Sequence, residues 1–210
     1  MKINRKKIFE RRPITLTIMW PVLSAFIFCG CVTTGRDGFE IFGPSDETSE
    51  AAKIVVEANR ELTRIKVLYR DNEGKRLELK TALEANNAAE VKRISEDVVQ
   101  IINEGMNLGT SAIDKVEQAR EMRINDDYKE YLRLKSEALK KQLEAFENYR
   151  QAARSLRDNY DPKNSQLREK VKVEFDQRSE NYRTIMEKAR DLSSQANELY
   201  KDSLRRQREK

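Results

Sequence analysis

The chain has 210 residues, enough for one domain and an additional segment. Its formal net charge is +5, but the first 30 residues hold six of the 41 basic side chains and one of the 36 acidic ones. The remaining chain therefore carries 35 residues of each sign and is neutral. This balance argues against a nucleic-acid partner, because proteins that bind nucleic acid present an excess of positive charge.

The chain contains no histidine. This excludes the usual general base, the commonest metal ligand and the Ser-His-Asp and Cys-His catalytic arrangements. The two cysteines, Cys29 and Cys31, are too close in sequence for a disulfide framework and lack the other ligands of a zinc site. We therefore expect no enzymatic activity, no bound metal and no cofactor.

The N-terminus has the parts of a secretory signal. A basic segment at 1–12 precedes 16 uncharged residues at 13–28, fewer than the roughly 20 apolar residues of a membrane-spanning helix. The run ends in Phe28-Cys29-Gly30-Cys31, with the small Gly30 directly before Cys31. This segment resembles the lipobox of bacterial lipoproteins, although phenylalanine stands where leucine is usual, three positions before the cysteine.

The resemblance implies a signal peptide at 1–30, cleavage after Gly30 and a lipid anchor on Cys31 that includes acyl chains such as palmitate. Residues 31–45 then form a lipidated tether. One acyl chain holds a protein on a membrane only marginally, whereas the family's mature form carries two or three. An uncleaved membrane anchor and an ordinary cleaved signal are the alternatives.

Val32 follows Cys31, where an aspartate would imply retention at the inner membrane. The resemblance therefore implies the outer membrane, facing the periplasm, in an organism with two membranes. In an organism with one membrane it implies the outer leaflet of the cytoplasmic membrane.

From residue 46 onward the sequence predicts an all-α fold, because apolar residues recur in steps of three and four without strand-like alternation. Capping or turn residues divide this region at Asn86-Asn87, Asn125-Asp126-Asp127 and Asp161-Pro162. The predicted helices are 46–85, 88–123, 126–160 and 162–207. Gly74 is placed to kink or split the first of them.

The spacing of nearly 3.5 residues and the short turns predict that 46–210 form an elongated, antiparallel, coiled-coil-like bundle of about four long helices. At about 1.5 Å per residue such helices make a rod roughly 50–65 Å long. The segment 79–98 resembles one helical hairpin of tetratricopeptide repeats, which leaves a solenoid as an alternative. The bundle is favoured because the helices are too long for that repeat.

Three features of the helical region are candidates for function. Gly105 and Gly109 form a patch of small residues that suits close packing of backbones, or a hinge or groove for a partner helix. Six tyrosines on the third and fourth predicted helices suit the edges of a core, or a ligand groove; they are Tyr128, Tyr131, Tyr149, Tyr160, Tyr182 and Tyr200. The cationic C-terminus, 201–210, suits a helix end or contact with anionic lipid. In each case the structural interpretation is favoured.

Acidic side chains have basic neighbours three or four positions away, as in Glu57-Arg60 and Glu61-Arg64, which indicates solvated faces with weak ion pairs. The hypothesis that follows is a non-catalytic envelope lipoprotein that acts as a scaffold, with a protein partner or a second copy of itself. The alternative is a bundle that binds a ligand or a sensory metabolite in an apolar cavity.

Overall fold

The computed structural model describes residues 47–71 and 74–208. These residues form no strand and five helices: α1 (Thr48–Asp71), α2 (Gly74–Glu84), α3 (Ala88–Glu121), α4 (Asp126–Asn159) and α5 (Ser165–Arg208). The predicted all-α class is confirmed for this part of the chain. The predicted signal peptide, Gly30, Cys31 and the tether at 31–45 lie outside the described residues.

Asparagine builds the turns before α3 and α4, as the sequence predicts. Asn86 has a left-handed backbone with a φ of 51°, which asparagine tolerates better than most residues. The side-chain oxygen of Asn87 then accepts a hydrogen bond from the backbone N–H of Glu90 at 3.2 Å. Asn125 caps α4 in the same way, accepting from the N–H of Tyr128 at 2.9 Å. These local bonds fix where the two helices begin.

The described residues of the first predicted helix form α1, which is described to Asp71, and α2, which is described from Gly74. Residues 72 and 73 lie outside the described residues, so the predicted kink or split at Gly74 stays a prediction. A Cβ added at Gly74 would meet no atom within 4 Å, so crowding does not require glycine here. Glycine is about 1 kcal/mol less favourable than alanine in a helix interior.

The predicted start of the last helix is wrong by three residues. Asp161 and Pro162 open a tight turn, in which the Asp161 carboxylate accepts from the N–H of Lys163 at 2.9 Å. Asn164 is the actual cap, since its side-chain oxygen accepts from the N–H of Leu167 at 3.0 Å. An aspartate followed by proline suits the first positions of a β-turn as well as the start of a helix. Here the turn comes first and the helix begins after it.

Consecutive long helices pack antiparallel. On α3 and α4 the residue numbers of bonded partners change in opposite directions, in the pairs Glu96–Arg157, Asn103–Arg150 and Glu117–Lys140. The same holds for α4 and α5, in the pairs Ser155–Glu174, Gln151–Arg178 and Asp127–Arg206. α1 and α2 both lie against α3, through the pairs Glu61–Lys115 and Lys75–Asp97.

A core cluster joins α1, α3 and the first half of α4. Its buried members are Ala51, Val55, Ala58, Leu62, Ala112, Val116, Ala119, Ile124, Tyr128, Leu132 and Leu139. The members on α1 follow one another in steps of four and three, the spacing that predicts a helix. Truncating a fully buried leucine such as Leu132 to alanine costs about 2–5 kcal/mol.

Buried small residues recur at a spacing of seven along α4 and along α5. The buried residues of this kind are Ala138, Ala145 and Ala152 on α4, and Ala189, Ala196 and Ser203 on α5. Small side chains at a heptad spacing suit close packing of antiparallel helices. Helix α4 therefore lies between α3 and α5, with buried residues toward both neighbours.

Candidate functional site

A network of polar side chains crosses the bundle from α5 through α4 to α3. Its members are Asn103, Glu147, Arg150, Gln151, Ser155, Glu174 and Arg178. We call this set the polar network. All seven are buried or half-buried.

The α5 side of the polar network is centred on Glu174. One carboxylate oxygen accepts from the Ser155 hydroxyl at 2.8 Å, and the other accepts from Nε of Arg178 at 3.0 Å. Arg178 also donates from Nη1 to the side-chain oxygen of Gln151. Glu174 is thereby joined to α4 directly by Ser155, and indirectly by Arg178, which bonds Gln151.

The α3 side continues from the same glutamine. Gln151 Nε2 donates to the Glu147 carboxylate at 2.8 Å, and Glu147 forms an ion pair with Arg150. Arg150 Nη1 then donates to the side-chain oxygen of Asn103 at 2.8 Å. Hydrogen bonds and the Glu147–Arg150 ion pair therefore link α5, α4 and α3, while Glu147 Oε2 and Arg150 Nε have no hydrogen-bond partner among the described residues.

The electrostatics of Glu174 reflect these bonds. The hydrogen bond from the Ser155 hydroxyl, followed by that from Arg178, lowers the pKa of Glu174 below its ordinary value of 4.5. A depressed carboxylate pKa marks an ionised group held by donors rather than a proton donor. Glu174 is thus suited to holding α5 against α4 as an ionised hydrogen-bond acceptor.

Aromatic rings pack next to the polar network. Tyr149 lies between Tyr182 at 5.6 Å and Phe175 at 6.4 Å, measured between ring centroids. Phe146 lies 6.3 Å from Tyr182 and 4.9 Å from Tyr69 of α1. The cluster therefore brings together α1, α4 and α5 at one level of the bundle. Offset or tilted pairs at these distances add about 0.5–1.5 kcal/mol each beyond the apolar area they bury.

The two glycines of α3 make room for side chains. A Cβ at Gly105 would overlap the hydroxyl oxygen of Tyr69 and lie 3.0 Å from its Cζ atom. A Cβ at Gly109 would lie 2.5 Å from Cδ2 of Leu143. Close packing at both glycines is therefore confirmed, and the nearest atoms belong to side chains rather than to a neighbouring backbone. The groups that fill the space are the tip of a tyrosine and the tip of a leucine.

The buried position of the Tyr69 hydroxyl is unfavourable in free energy. Its hydroxyl is enclosed and has no hydrogen-bond partner among the described residues. Burial, with a smaller contribution from the neighbouring Tyr182, raises the pKa of Tyr69 well above its ordinary value. An unsatisfied buried hydroxyl costs about 1–3 kcal/mol.

The six tyrosines predicted as one set lie in three places. Tyr128, Tyr131 and Tyr200 form a group with centroid distances of 6.0 and 6.2 Å between consecutive rings. Tyr149 and Tyr182 belong to the aromatic cluster described above. The hydroxyl of the remaining tyrosine, Tyr160, donates to Asn86 at 3.3 Å beside a turn. The first two groups are about 27 Å apart along α4, at about 1.5 Å per residue, so the tyrosines do not line one groove.

The described part of the C-terminal cationic segment pairs with nearby acids. Arg206 forms an ion pair with Asp127, at the first turn of α4, at 2.8 Å. Arg205 lies 3.4 Å from Asp202, one turn earlier on the same helix. These contacts support the favoured interpretation of a helix end, and they tie the end of α5 to the start of α4.

Several ion pairs connect helices rather than residues of one helix. Glu61 lies 3.4 Å from Arg64, the partner predicted from its spacing, and also 3.2 Å from Lys115 of α3. Glu117 accepts from Ser136 and Lys140 of α4, both at 2.6 Å. Spacing along one helix identifies the first kind of pair but gives no information on the second.

Two features of the described residues bear on metal and ligand binding. No three cysteine or acidic side chains among them are grouped as ligands of a metal ion. A hollow at the start of α5 is lined by Ser165, Gln166, Glu169, Lys170 and Val173, all from one helix face. Such an open hollow differs from the enclosed apolar cavity that a small ligand usually requires.

No helix in 47–71 or 74–208 has the length and apolar character needed to span a membrane.

Sequence reasoning missed the polar network and the role of Tyr69. Glu147, Gln151 and Ser155 follow one another at four-residue spacing along α4, which is the one local signal of a polar stripe. Their partners on α3 and α5 depend on the register between helices. That register appears only in the folded chain.

Comparison of the chain with protein-family models, with curated proteins and with solved structures gave no match.

Proposed function

We propose that this protein is an envelope lipoprotein, anchored by lipid on Cys31, whose helical body is a non-catalytic scaffold for a protein partner or for a second copy of itself. The observation that carries the proposal is the sequence Phe28-Cys29-Gly30-Cys31 at the end of a short apolar run behind a basic segment. The finer architecture proposed is an elongated bundle of four long helices. It is joined to the anchor by a tether that reaches at most about 46 Å.

Two properties of the helical body support a scaffold. The charged side chains of the polar network are engaged with one another, in bonds that hold three helices in register. The outer faces of the helices carry ion pairs between close neighbours, such as Arg133 with Glu130 at 2.7 Å and Lys141 with Glu144 at 2.6 Å. Exposed pairs of this kind are worth less than about 1 kcal/mol and chiefly maintain a solvated surface.

Membrane fractionation of three forms of the protein tests the anchor. The wild type and Cys29→Ser are expected in the membrane fraction, since only Cys31 follows a small residue. Cys31→Ser is expected to accumulate as an unprocessed precursor. Identical processing of Cys31→Ser and the wild type would refute the proposed anchor.

Crosslinking in intact cells tests the scaffold. The wild-type protein, purified after crosslinking, is expected in a covalent complex with a defined partner or with itself, and Cys31→Ser should lose this complex. A purified protein that remains strictly monomeric, combined with the absence of any crosslinked partner, would refute the scaffold while leaving the anchor intact.

A further inference from the structure

The outer face of α1 carries an unbroken row of exposed residues. They follow one another in steps of three and four, so they lie along one side of the helix. The members of the row are Lys53, Val56, Arg60, Thr63, Val67 and Arg70. We call this row the α1 seam. It contains three cations, no acid and two valines, and the flanking Glu57 and Arg64 offset each other in charge.

The outer face of α5 carries a second exposed row with the same spacing. Its members are Glu169, Val173, Asp176, Glu180, Arg183 and Glu187. We call this row the α5 seam. It contains four acids, one cation and one valine. The two seams therefore have opposite net charge, and each has apolar side chains among its charges.

The exposed apolar side chains are concentrated on these two rows. The large apolar residues that are exposed in the described part of the chain are Val56, Val67, Leu77 and Val173, and three of these four lie on the seams. Single exposed apolar residues need no explanation. Apolar residues at steps of three and four along one helix face are, however, typical of a surface that packs against another helix.

The charges of the seams are only partly neutralised within the chain. Arg183 pairs with Glu180 on the same seam. Arg60 forms no ion pair with another described residue, and neither do Glu169 and Asp176. Arg60 is thus a cation on the α1 seam, and Glu169 and Asp176 are acids on the α5 seam, that can take an ionic partner from another molecule.

Charge and length together identify the occupant of each seam. The α1 seam spans about 26 Å and the α5 seam about 27 Å, at about 1.5 Å per residue. Two copies of the same seam would repel each other, whereas the cations of one seam complement the acids of the other. We infer that the α1 seam of one molecule binds the α5 seam of a second copy of this chain.

This contact joins two different surfaces, so each copy keeps one seam open unless the series of copies closes into a ring. One helix pair about 10 Å wide buries far less than the roughly 800 Å² per partner of a stable complex. The contact is therefore weak in solution, and it gains from the high local concentration of copies held on one membrane. In this respect the inference rests on the proposed function and assigns its self-association to named surfaces.

Photocrosslinking in cells tests the contact on the full chain. p-Benzoylphenylalanine replaces Val56, and two forms of the protein that carry different epitope tags are produced together. Irradiation is expected to give a product that carries both tags, with the crosslink in the segment 165–191 of the second copy. The same label at Lys92, an exposed position of α3 outside both seams, should give no such product.

Charge reversal tests whether the two seams pair with each other. Lys53→Glu with Arg60→Glu reverses the net charge of the α1 seam, and Glu169→Lys with Asp176→Lys reverses that of the α5 seam. Either pair alone should reduce the crosslink from position 56 at least tenfold, because like charges then face each other. All four substitutions in one chain should restore the crosslink to at least a third of the wild-type yield.

A matched control separates the seams from net charge. Lys92→Glu with Lys163→Glu changes the net charge by the same amount as the reversed α1 seam, at exposed positions outside both seams, and should leave the crosslink unchanged. Circular dichroism of each purified variant checks that the helical fold is retained.

Four results would overturn the contact. They are the absence of a product with both tags, a crosslink from position 56 within one chain, a crosslink from it to a different protein, and failure of the four combined substitutions to restore the yield. A crosslink to a different protein would leave the proposed scaffold intact. Membrane fractionation of the same variants tests the anchor separately, so failure of the contact and failure of the proposed function are distinguishable.

Discussion

Arg150 on α4 donates a hydrogen bond from Nη1 to the side-chain oxygen of Asn103 on α3, at 2.8 Å, and pairs through Nη2 with Glu147 on its own helix. One guanidinium group thus links the helix–helix contact to the rest of the polar network. Its planar fork with several donors holds two partners in fixed directions, which an ammonium group does less well. The register between α3 and α4 is set in part by this residue.

Replacing Arg150 with methionine should destabilise the protein by about 1–3 kcal/mol, because Asn103 and Glu147 keep their desolvation and lose a charged donor. Urea denaturation of the purified protein measures the change. Arg60→Met, at an exposed position of α1, is the matched control and should change stability by less than about 0.5 kcal/mol. Equal losses of stability in the two variants would mean that the bonds of Arg150 contribute no more than an exposed surface arginine does.

The polar network should make the free energy of unfolding depend on pH in the acidic range. Hydrogen bonds from Ser155 and Arg178 lower the pKa of Glu174 below 4.5, so its ionised form is favoured in the folded state. The resulting stabilisation is complete above this ordinary value and is lost as the pH falls through the lowered native pKa.

Glu174→Gln removes this titration. The free energy of unfolding should therefore fall less between pH 7 and pH 3 in this variant than in the wild type, as measured by urea titration at each pH. Glu187→Gln, at an exposed position of the same helix, should follow the wild-type curve. A wild-type pH dependence in Glu174→Gln would contradict the role assigned to the carboxylate.

The start of α5 gives a prediction that compares two neighbouring residues. Asn164→Ala removes the acceptor of the Leu167 N–H and should cost about 0.5–2 kcal/mol. Asp161→Ala disturbs the turn before the helix and should cost less. The thermal midpoints of the two variants provide the measurement, and the reverse order would place the cap at Asp161.

Gly109→Ala should be destabilising although alanine favours helices. The added methyl group would meet Leu143 Cδ2 at 2.5 Å, and overpacking costs about 1–3 kcal/mol, more than the gain of about 1 kcal/mol in helix propensity. In a Leu143→Ala background the same substitution should become stabilising, because the space is then free. A double-mutant cycle measures the coupling, and simple additivity would show that the two residues do not compete for the space.

The parts of the fold that the sequence predicts correctly are those determined by local chemistry. Asn87 and Asn125 accept hydrogen bonds from backbone groups three residues away, so a short window of sequence contains both partners. Asp161-Pro162 is also local, but its two residues suit a turn as well as a helix start. The hydrogen bond that Asn164 accepts from Leu167 shows that the turn comes first and that the helix is capped at Asn164. Asn164, three positions after Asp161, is the residue in the sequence that could have indicated this later start.

The interior of the candidate site depends on partners far apart in sequence. Gly105 and Gly109 are visible as a patch of small residues, yet the nature of the occupants, Tyr69 and Leu143, follows only from how α1 and α4 align with α3. Two possible occupants, a backbone or a side chain, require the same missing Cβ. Sequence spacing cannot distinguish them because it carries no information on the register between helices.

Mass spectrometry of the intact protein, extracted from membranes with detergent, tests the central claim most directly. The account predicts a mature chain that begins at Cys31, with the added mass of two or three acyl chains on that residue, and the same product from Cys29→Ser. A chain that retains residues 1–30 without added lipid would contradict it.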